Sequence, residues 1–198
     1  MLFAFQAAHA DGFCPPANVD AKFGPFDYTD PEAKAARLPI VEQYHFSPDV
    51  EELVRGKSGS LVGDLDYVLR SFPNHHRALS AMARLGVREK SESPEHSHFT
   101  IPCYFKRAID FVPQDAITHL IYGNYLYETG APGKALEQYR EAEKIDPYNP
   151  NLLYNAGLVY FKLGDYDKAL DYAKRAYAAG FPLKGLRQKL EKAGKWKP

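Results

Sequence analysis

Between Ala116 and Leu183 the chain runs twice through one 34-residue pattern. Gly123 returns as Gly157, Gly130 as Gly164, Lys134 as Lys168, Ala135 as Ala169, Leu136 as Leu170 and Ala142 as Ala176. Gly123 and Gly157 fall inside helical stretches, where glycine costs roughly 1 kcal/mol against alanine. The same cost at the same register twice predicts a close helix approach that leaves no room for a side chain. Gly130 and Gly164 end that helix, where a left-handed residue is needed. Ala135, Ala169, Ala142 and Ala176 then let a second helix lie against the first. The expected fold is all-α, with antiparallel helix pairs at about 116–129 with 133–145 and 150–163 with 167–178.

A helix–turn–helix unit of this length, with small residues at these places, resembles the tetratricopeptide repeat (TPR). The resemblance covers about a third of the chain closely and implies an α-solenoid that binds other proteins or peptides. In that family the first helix of each pair lines an inner groove. Carried over residue by residue, the groove would present Ile117, Leu120, Asn124, Tyr127 and Glu128, then Asn151, Tyr154, Asn155, Leu158, Phe161 and Lys162. Some TPR domains grip a partner's C-terminal carboxylate with a lysine and asparagine pair. Asn124 and Asn155 match those asparagines, but Leu120 replaces the lysine of the first unit. The groove's apolar and aromatic character suits an extended peptide or an amphipathic helix held by side-chain pockets. The competing cover is the chain's own N-terminal arm, because an open apolar patch on a monomer is a liability.

The remaining chain divides around this array. Residues 1–10 are an apolar run and 11–72 an irregular arm with short helices; 73–198 is the TPR-like array. Within the array, 73–113 is a degenerate repeat and 116–149 and 150–183 are the clear ones. Residues 184–198 form a capping helix, needed to cover the last apolar face. In the arm, Pro15, Pro16, Gly24 and Pro25 forbid a long helix, while Phe13, Phe23, Phe26 and Tyr28 call for burial on the helical body. Asp30-Pro31-Glu32 starts a helix that reaches about Leu38, ahead of Pro39; Ser47-Pro48 starts another, to Arg55. Leu61, Leu65, Val68, Leu69 and Phe72 recur at helical spacing. Asn74 is placed to cap a helix over 75–88, and a polar loop at 89–99 leads to a helix from Thr100 to Phe111.

Positive and negative side chains balance at 25 each, which argues against a general nucleic-acid or anionic-membrane binder. No later stretch approaches the ~20 apolar residues of a membrane span. The opening MLFAFQAAHA, apolar and ending small-x-small before Asp11, reads as the tail of a secretory signal, with a frayed terminus as the alternative. Cys14 and Cys103 are the only cysteines. In an exported chain an even pair reads as a disulfide, and in a cytosolic one as two buried thiols.

Chemistry is sparse. His75, His76, His96 and His98 offer an alternative reading, a metal- or small-ligand-binding accessory protein, but their spacing matches no zinc signature. Lys57-Ser58-Gly59-Ser60 lacks the phosphate-loop pattern and reads as a capping turn, and Glu51 with Glu52 reads as a solvated helix face. No catalytic constellation and no cofactor site stand out, so the reading is a non-catalytic module for a protein or peptide partner. The whole chain also resembles exported bacterial TPR proteins, through Gly24-Pro25-Phe26-Asp27-Tyr28-Thr29, Val41-Glu42-Gln43-Tyr44-His45-Phe46 and Phe72-Pro73-Asn74-His75-His76-Arg77-Ala78-Leu79. That resemblance implies a periplasmic location and a Cys14–Cys103 bridge.

Overall fold

The computed structural model describes residues 14–19 and 23–196. The apolar run at 1–10 and the start of the arm at 11–13 lie outside the described residues. The described residues form eleven α-helices and no strand, in agreement with the all-α expectation. Two compact units divide them. One holds the described residues up to Met82 together with Ser91–Phe111, and the other holds Ala83–Lys90 with the chain from Val112 onward. Residues 73–82 and 91–111 therefore group with the arm and the short helices.

The first unit contains α1 (Pro31–Ala36), α2 (Leu38–His45), α3 (Pro48–Glu51), α4 (Leu61–Ser71), the first half of α5 (His76–Glu89) and α6 (Ile101–Phe111). Asp30 caps α1 by accepting from the Glu32 amide. Pro39 does not follow the end of that helix, as its place in the sequence predicts, but sits in the first turn of α2. A proline there sacrifices only an amide that has no helical partner, and α2 gains from burying Leu38 and Val41. The third helix stops at Glu51, short of the expected Arg55, because Leu53 turns left-handed at φ 59° and the Val54 amide bonds back to the Asp49 carbonyl at 2.8 Å. The core is built from Leu65, Val68, Leu69 and Phe72, from Ala78, Leu79 and Met82, and from Ile101, Phe105 and Ala108, all buried.

The arm lies on this core. Cys14 and Cys103 are joined, with Cα atoms 5.6 Å apart. The buried Arg107 donates from Nη1 to the carbonyls of Pro15 (2.8 Å) and Pro16 (3.2 Å). Further on, the Phe26 amide donates to the Ser71 carbonyl at 2.9 Å. Gly24 has φ +110°, and a Cβ there would collide with that same carbonyl oxygen. The Tyr28 amide then donates to Asn74 Oδ1, and Asn74 Nδ2 donates to Asp27 Oδ1, each at 2.8 Å. Asn74 thus ties down the arm. At the start of α5 the His75 ring accepts as well, Nδ1 taking the Ala78 amide at 3.1 Å.

The second unit contains α7 (Ala116–Glu128), α8 (Pro132–Ile145), α9 (Pro150–Lys162), α10 (Tyr166–Ala178) and α11 (Gly185–Lys192). Asp115, Asn149 and Asp165 cap α7, α9 and α10 with their side chains. Gly130 and Gly164 take φ of +87° and +81°, the left-handed turns expected between paired helices. Leu186 and Leu190 of α11 are fully buried, closing the end of the array.

The two helical glycines face different neighbours. A Cβ on Gly123 would run into the Tyr139 ring, 2.6 Å from Cδ1. Tyr139 is 2% exposed and its hydroxyl is bonded to Asn124, so the ring cannot swing clear. In the next repeat Tyr139 is replaced by Ala173, and the space over Gly157 is filled by the Leu186 Cδ2 methyl at 2.6 Å. Overpacking costs about 1–3 kcal/mol and removing a helical glycine returns about 1. Gly123→Ala is therefore expected to destabilise by up to about 2 kcal/mol in urea unfolding, and Gly157→Ala to change stability by less than about 0.5, because a terminal methyl can rotate aside. The reverse order of the two variants would contradict this packing.

Candidate partner-binding groove on the repeats

The first helices of the two repeats, α7 and α9, bring Asn124 and Asn155 together. Asn155 Nδ2 donates to Asn124 Oδ1 at 2.9 Å, and the Tyr139 hydroxyl from α8 donates to the same oxygen at 2.8 Å. That carbonyl is saturated. What remains is the Asn124 amide nitrogen as a donor and Asn155 Oδ1 as an acceptor, a complement to one peptide group. Burial pushes the Tyr139 phenol well up, so it stays a neutral donor at physiological pH.

A pocket of about 270 Å³ opens at this pair, lined by Asn124, Tyr127, Glu128, Tyr139, Asn155 and Leu158. Burial, with a contribution from the Glu128 carboxylate, raises the Tyr127 phenol. Lys162 places Nζ 4.7 Å from the centre of the Tyr127 ring, on an exposed side chain. The site thus combines a half-buried apolar floor, an amide pair, one carboxylate and one cation.

Of the residues carried over by resemblance, Asn124, Tyr127, Glu128, Asn155 and Leu158 converge on the pocket, with Lys162 over one wall. The others do not line it. Leu120 is 8% exposed, so no cation stands at the position of the first-unit lysine. Tyr154 is buried and stacked on Phe181 at 4.0 Å, and Phe161 packs against Tyr166 at 5.3 Å. Asn151 is exposed and Ile117 half-buried. Tyr139 has no place in a groove reading that takes only first helices. Its signal was there, since a tyrosine opposite a helical glycine must send its hydroxyl past that glycine to a polar partner.

The geometry gives the histidine alternative no support. His75 is fully buried with both ring nitrogens engaged, by the Ala78 amide and by Glu42 Oε1 at 3.1 Å. His76 packs edge-on against Tyr28, His96 lies exposed beside Glu95, and His98 pairs with buried Asp66 at 2.9 Å. Four local tasks separate these rings, and among the described residues no group of three or more His, Cys, Asp or Glu side chains is arranged to hold a metal ion. No helix among them is long and apolar enough to cross a membrane.

Comparison with known proteins agrees with the helix pairs. Residues 123–164 match a family model described as TPR repeat, and residues 150–179 match one described as tetratricopeptide repeat. The chain is also 36% identical over 56 residues to the BBSome complex member BBS4 of Bos taurus, an overlap covering 28% of this chain and 11% of that protein. The chain therefore spans about a tenth of the length of that curated relative. The pairs α7–α8 and α9–α10 are tetratricopeptide repeats stacked as an α-solenoid, the architecture of a protein-interaction module.

Proposed function

We propose that this protein acts without catalysis, by holding an extended segment of another protein along α7 and α9. The observation that carries the reading is the Asn124–Asn155–Tyr139 arrangement. It fixes two carboxamides and leaves one donor and one acceptor for a partner's backbone. Tyr127 and Leu158 supply the apolar pocket for a partner side chain, and Lys162 and Glu128 at the opening set charge preference. The bovine relative is named as a member of a complex, which suits a chain whose work is assembly.

Peptides selected against the full chain from a random display library test this. Asn155→Ala removes one backbone contact and the donor to Asn124, so selected peptides are expected to bind about three- to tenfold more weakly. Leu158→Arg is expected to abolish binding, and Tyr148→Ala, at an 80% exposed site outside the pocket, to leave it unchanged. Peptides that ignore both Asn155→Ala and Leu158→Arg would end the groove reading.

We place the protein in an oxidising compartment, periplasmic or secreted, with the cytoplasm as the alternative. The Cys14–Cys103 bond supports this, because such bonds persist where thiols are not kept reduced. Thiol trapping in the native host decides it, and a free Cys103 there would remove the support.

A further inference from the structure

We propose a second binding site, in the first unit and separate from the repeat groove: a pocket for one aromatic ring that carries an O–H or N–H donor. Phe23, Ile40, Val41, Tyr44, His45 and Tyr67 line a pocket of about 210 Å³ there, four of them from α2. The His45 ring lies flat on Tyr67, with centroids 3.9 Å apart and planes 25° from parallel. These two rings form an aromatic wall, and Ile40 (51% exposed) and Tyr44 (53%) form an uncovered rim.

His45 brings a polar ring to this lining, beside the phenols of Tyr44 and Tyr67. Asp64 is buried, and its Oδ2 accepts from the backbone amides of Lys57 (2.5 Å) and Ser58 (3.0 Å). Its Oδ1 faces His45 Nδ1 at 2.8 Å. A carboxylate held this way only accepts, so Nδ1 carries a hydrogen, and in the neutral ring Nε2 carries the lone pair. No hydrogen bond engages Nε2 among the described residues. In its neutral form His45 therefore adds a ring-nitrogen acceptor to a lining that also includes the phenols of Tyr44 and Tyr67.

Size and chemistry narrow the ligand. Sites for drug-sized molecules run from about 300 to 1,000 Å³; this one fits a phenol or an indole. A ring sliding between the His45–Tyr67 stack and the rim would cover Ile40 and Tyr44 and give its donor to Nε2. Tyrosine and tryptophan side chains and free phenols or indoles share this chemistry.

The test uses the full chain and two probes that differ only in the donor, p-cresol and p-methylanisole, followed by aromatic NMR signals and calorimetry. We expect p-cresol to shift Tyr44 and Tyr67 signals and to bind about tenfold tighter than p-methylanisole, the worth of one hydrogen bond in a site built to receive it. His45→Phe keeps the stack and is expected to erase that tenfold difference. Should His45→Phe fail to fold, Tyr44→Ala serves at an exposed rim position and is expected to weaken both probes alike. A short capped peptide with one tyrosine separates the sources: binding with p-cresol-like affinity assigns the site to a protein side chain, and exclusion of the peptide while p-cresol binds assigns it to a free phenol. Equal binding of the two probes to the native chain, or no binding of either, overturns the proposal.

Discussion

Reducing the Cys14–Cys103 bond is expected to lower the stability of the first unit by about 4–5 kcal/mol, the chain-entropy value for a closed loop of this length. The bonded positions are 89 residues apart, so almost half the chain lies inside the loop, including α1 to α5. The effect acts on the unfolded state. In the folded state the arm keeps other holds: Arg107 on the Pro15 and Pro16 carbonyls, Phe26 against Phe72 at 5.3 Å, and the Tyr28–Asn74–Asp27 bonds. Reduced protein should therefore keep its helical content in water and unfold at lower urea. Hydrogen exchange of the α4 and α6 amides, compared with and without a phosphine reductant, measures the change directly. A Cys14→Ser, Cys103→Ser double variant should match the reduced native chain. A loss under about 1 kcal/mol would mean that the unfolded chain already holds the arm near α6.

The repeats were legible because their evidence is local and periodic. A glycine at 123 and again at 157, and left-handed turns at 130 and 164, say where helices approach and where they end without any tertiary knowledge. The capping of α7 by Asp115 and of α9 by Asn149 follows the same short-range logic. The first unit was less legible because its decisive bonds are long-range. Pro39 reads as a stop in isolation, and it becomes a start only because α2 has a core in which to bury Val41. His75 looks like one member of a histidine cluster until the fold places Glu42 on one nitrogen and the Ala78 amide on the other. His45 and Asp64 sit on α2 and α4 with α3 and a turn between them, and nothing in their spacing announces a pair. In the groove, Asn124 and Asn155 came from family resemblance, whereas Tyr139 is set by the third dimension, since it reaches Asn124 only by passing the bare face of Gly123.

His75 carries the second large effect. Its imidazole does three things at once: Nδ1 caps α5, Nε2–H donates to Glu42, and the ring fills the space between Tyr28 (4.5 Å) and Phe46 (4.9 Å). His75→Ala removes a cap, takes from the partly buried Glu42 carboxylate one of its partners, leaving Arg77, and leaves a cavity, a combination expected to cost about 3–5 kcal/mol. His75→Asn restores the capping acceptor without restoring the ring, and should recover about 1 kcal/mol of that loss.

The same residue makes the first unit acid-sensitive. Burial holds the His75 imidazole below its ordinary range, against the opposing pull of the Glu42 carboxylate, while Arg77 nearby acts with burial. The unfolded chain therefore takes up a proton at a pH where the folded one does not. With an unfolded value near 6.5, stability is intact above that pH and falls below it, by at most about 1.4 kcal/mol per pH unit for one group. Glu42 adds a second phase. Its carboxyl is held low, first by the His75 hydrogen bond and then by the charges of His75 and Arg77, so its contribution is present above about 4.5 and is lost as pH falls further. Protonating His75 also removes the lone pair that accepts from Ala78, so the first turn of α5 should be where protection against hydrogen exchange drops earliest between pH 7 and 5. The His75→Asn chain has no such proton to bind, and its stability should fall more gently over that interval. A native chain equally stable at pH 7 and pH 5 would show that the ring takes up its proton alike in the folded and the unfolded chain, and the picture of burial holding it neutral would then have to be given up.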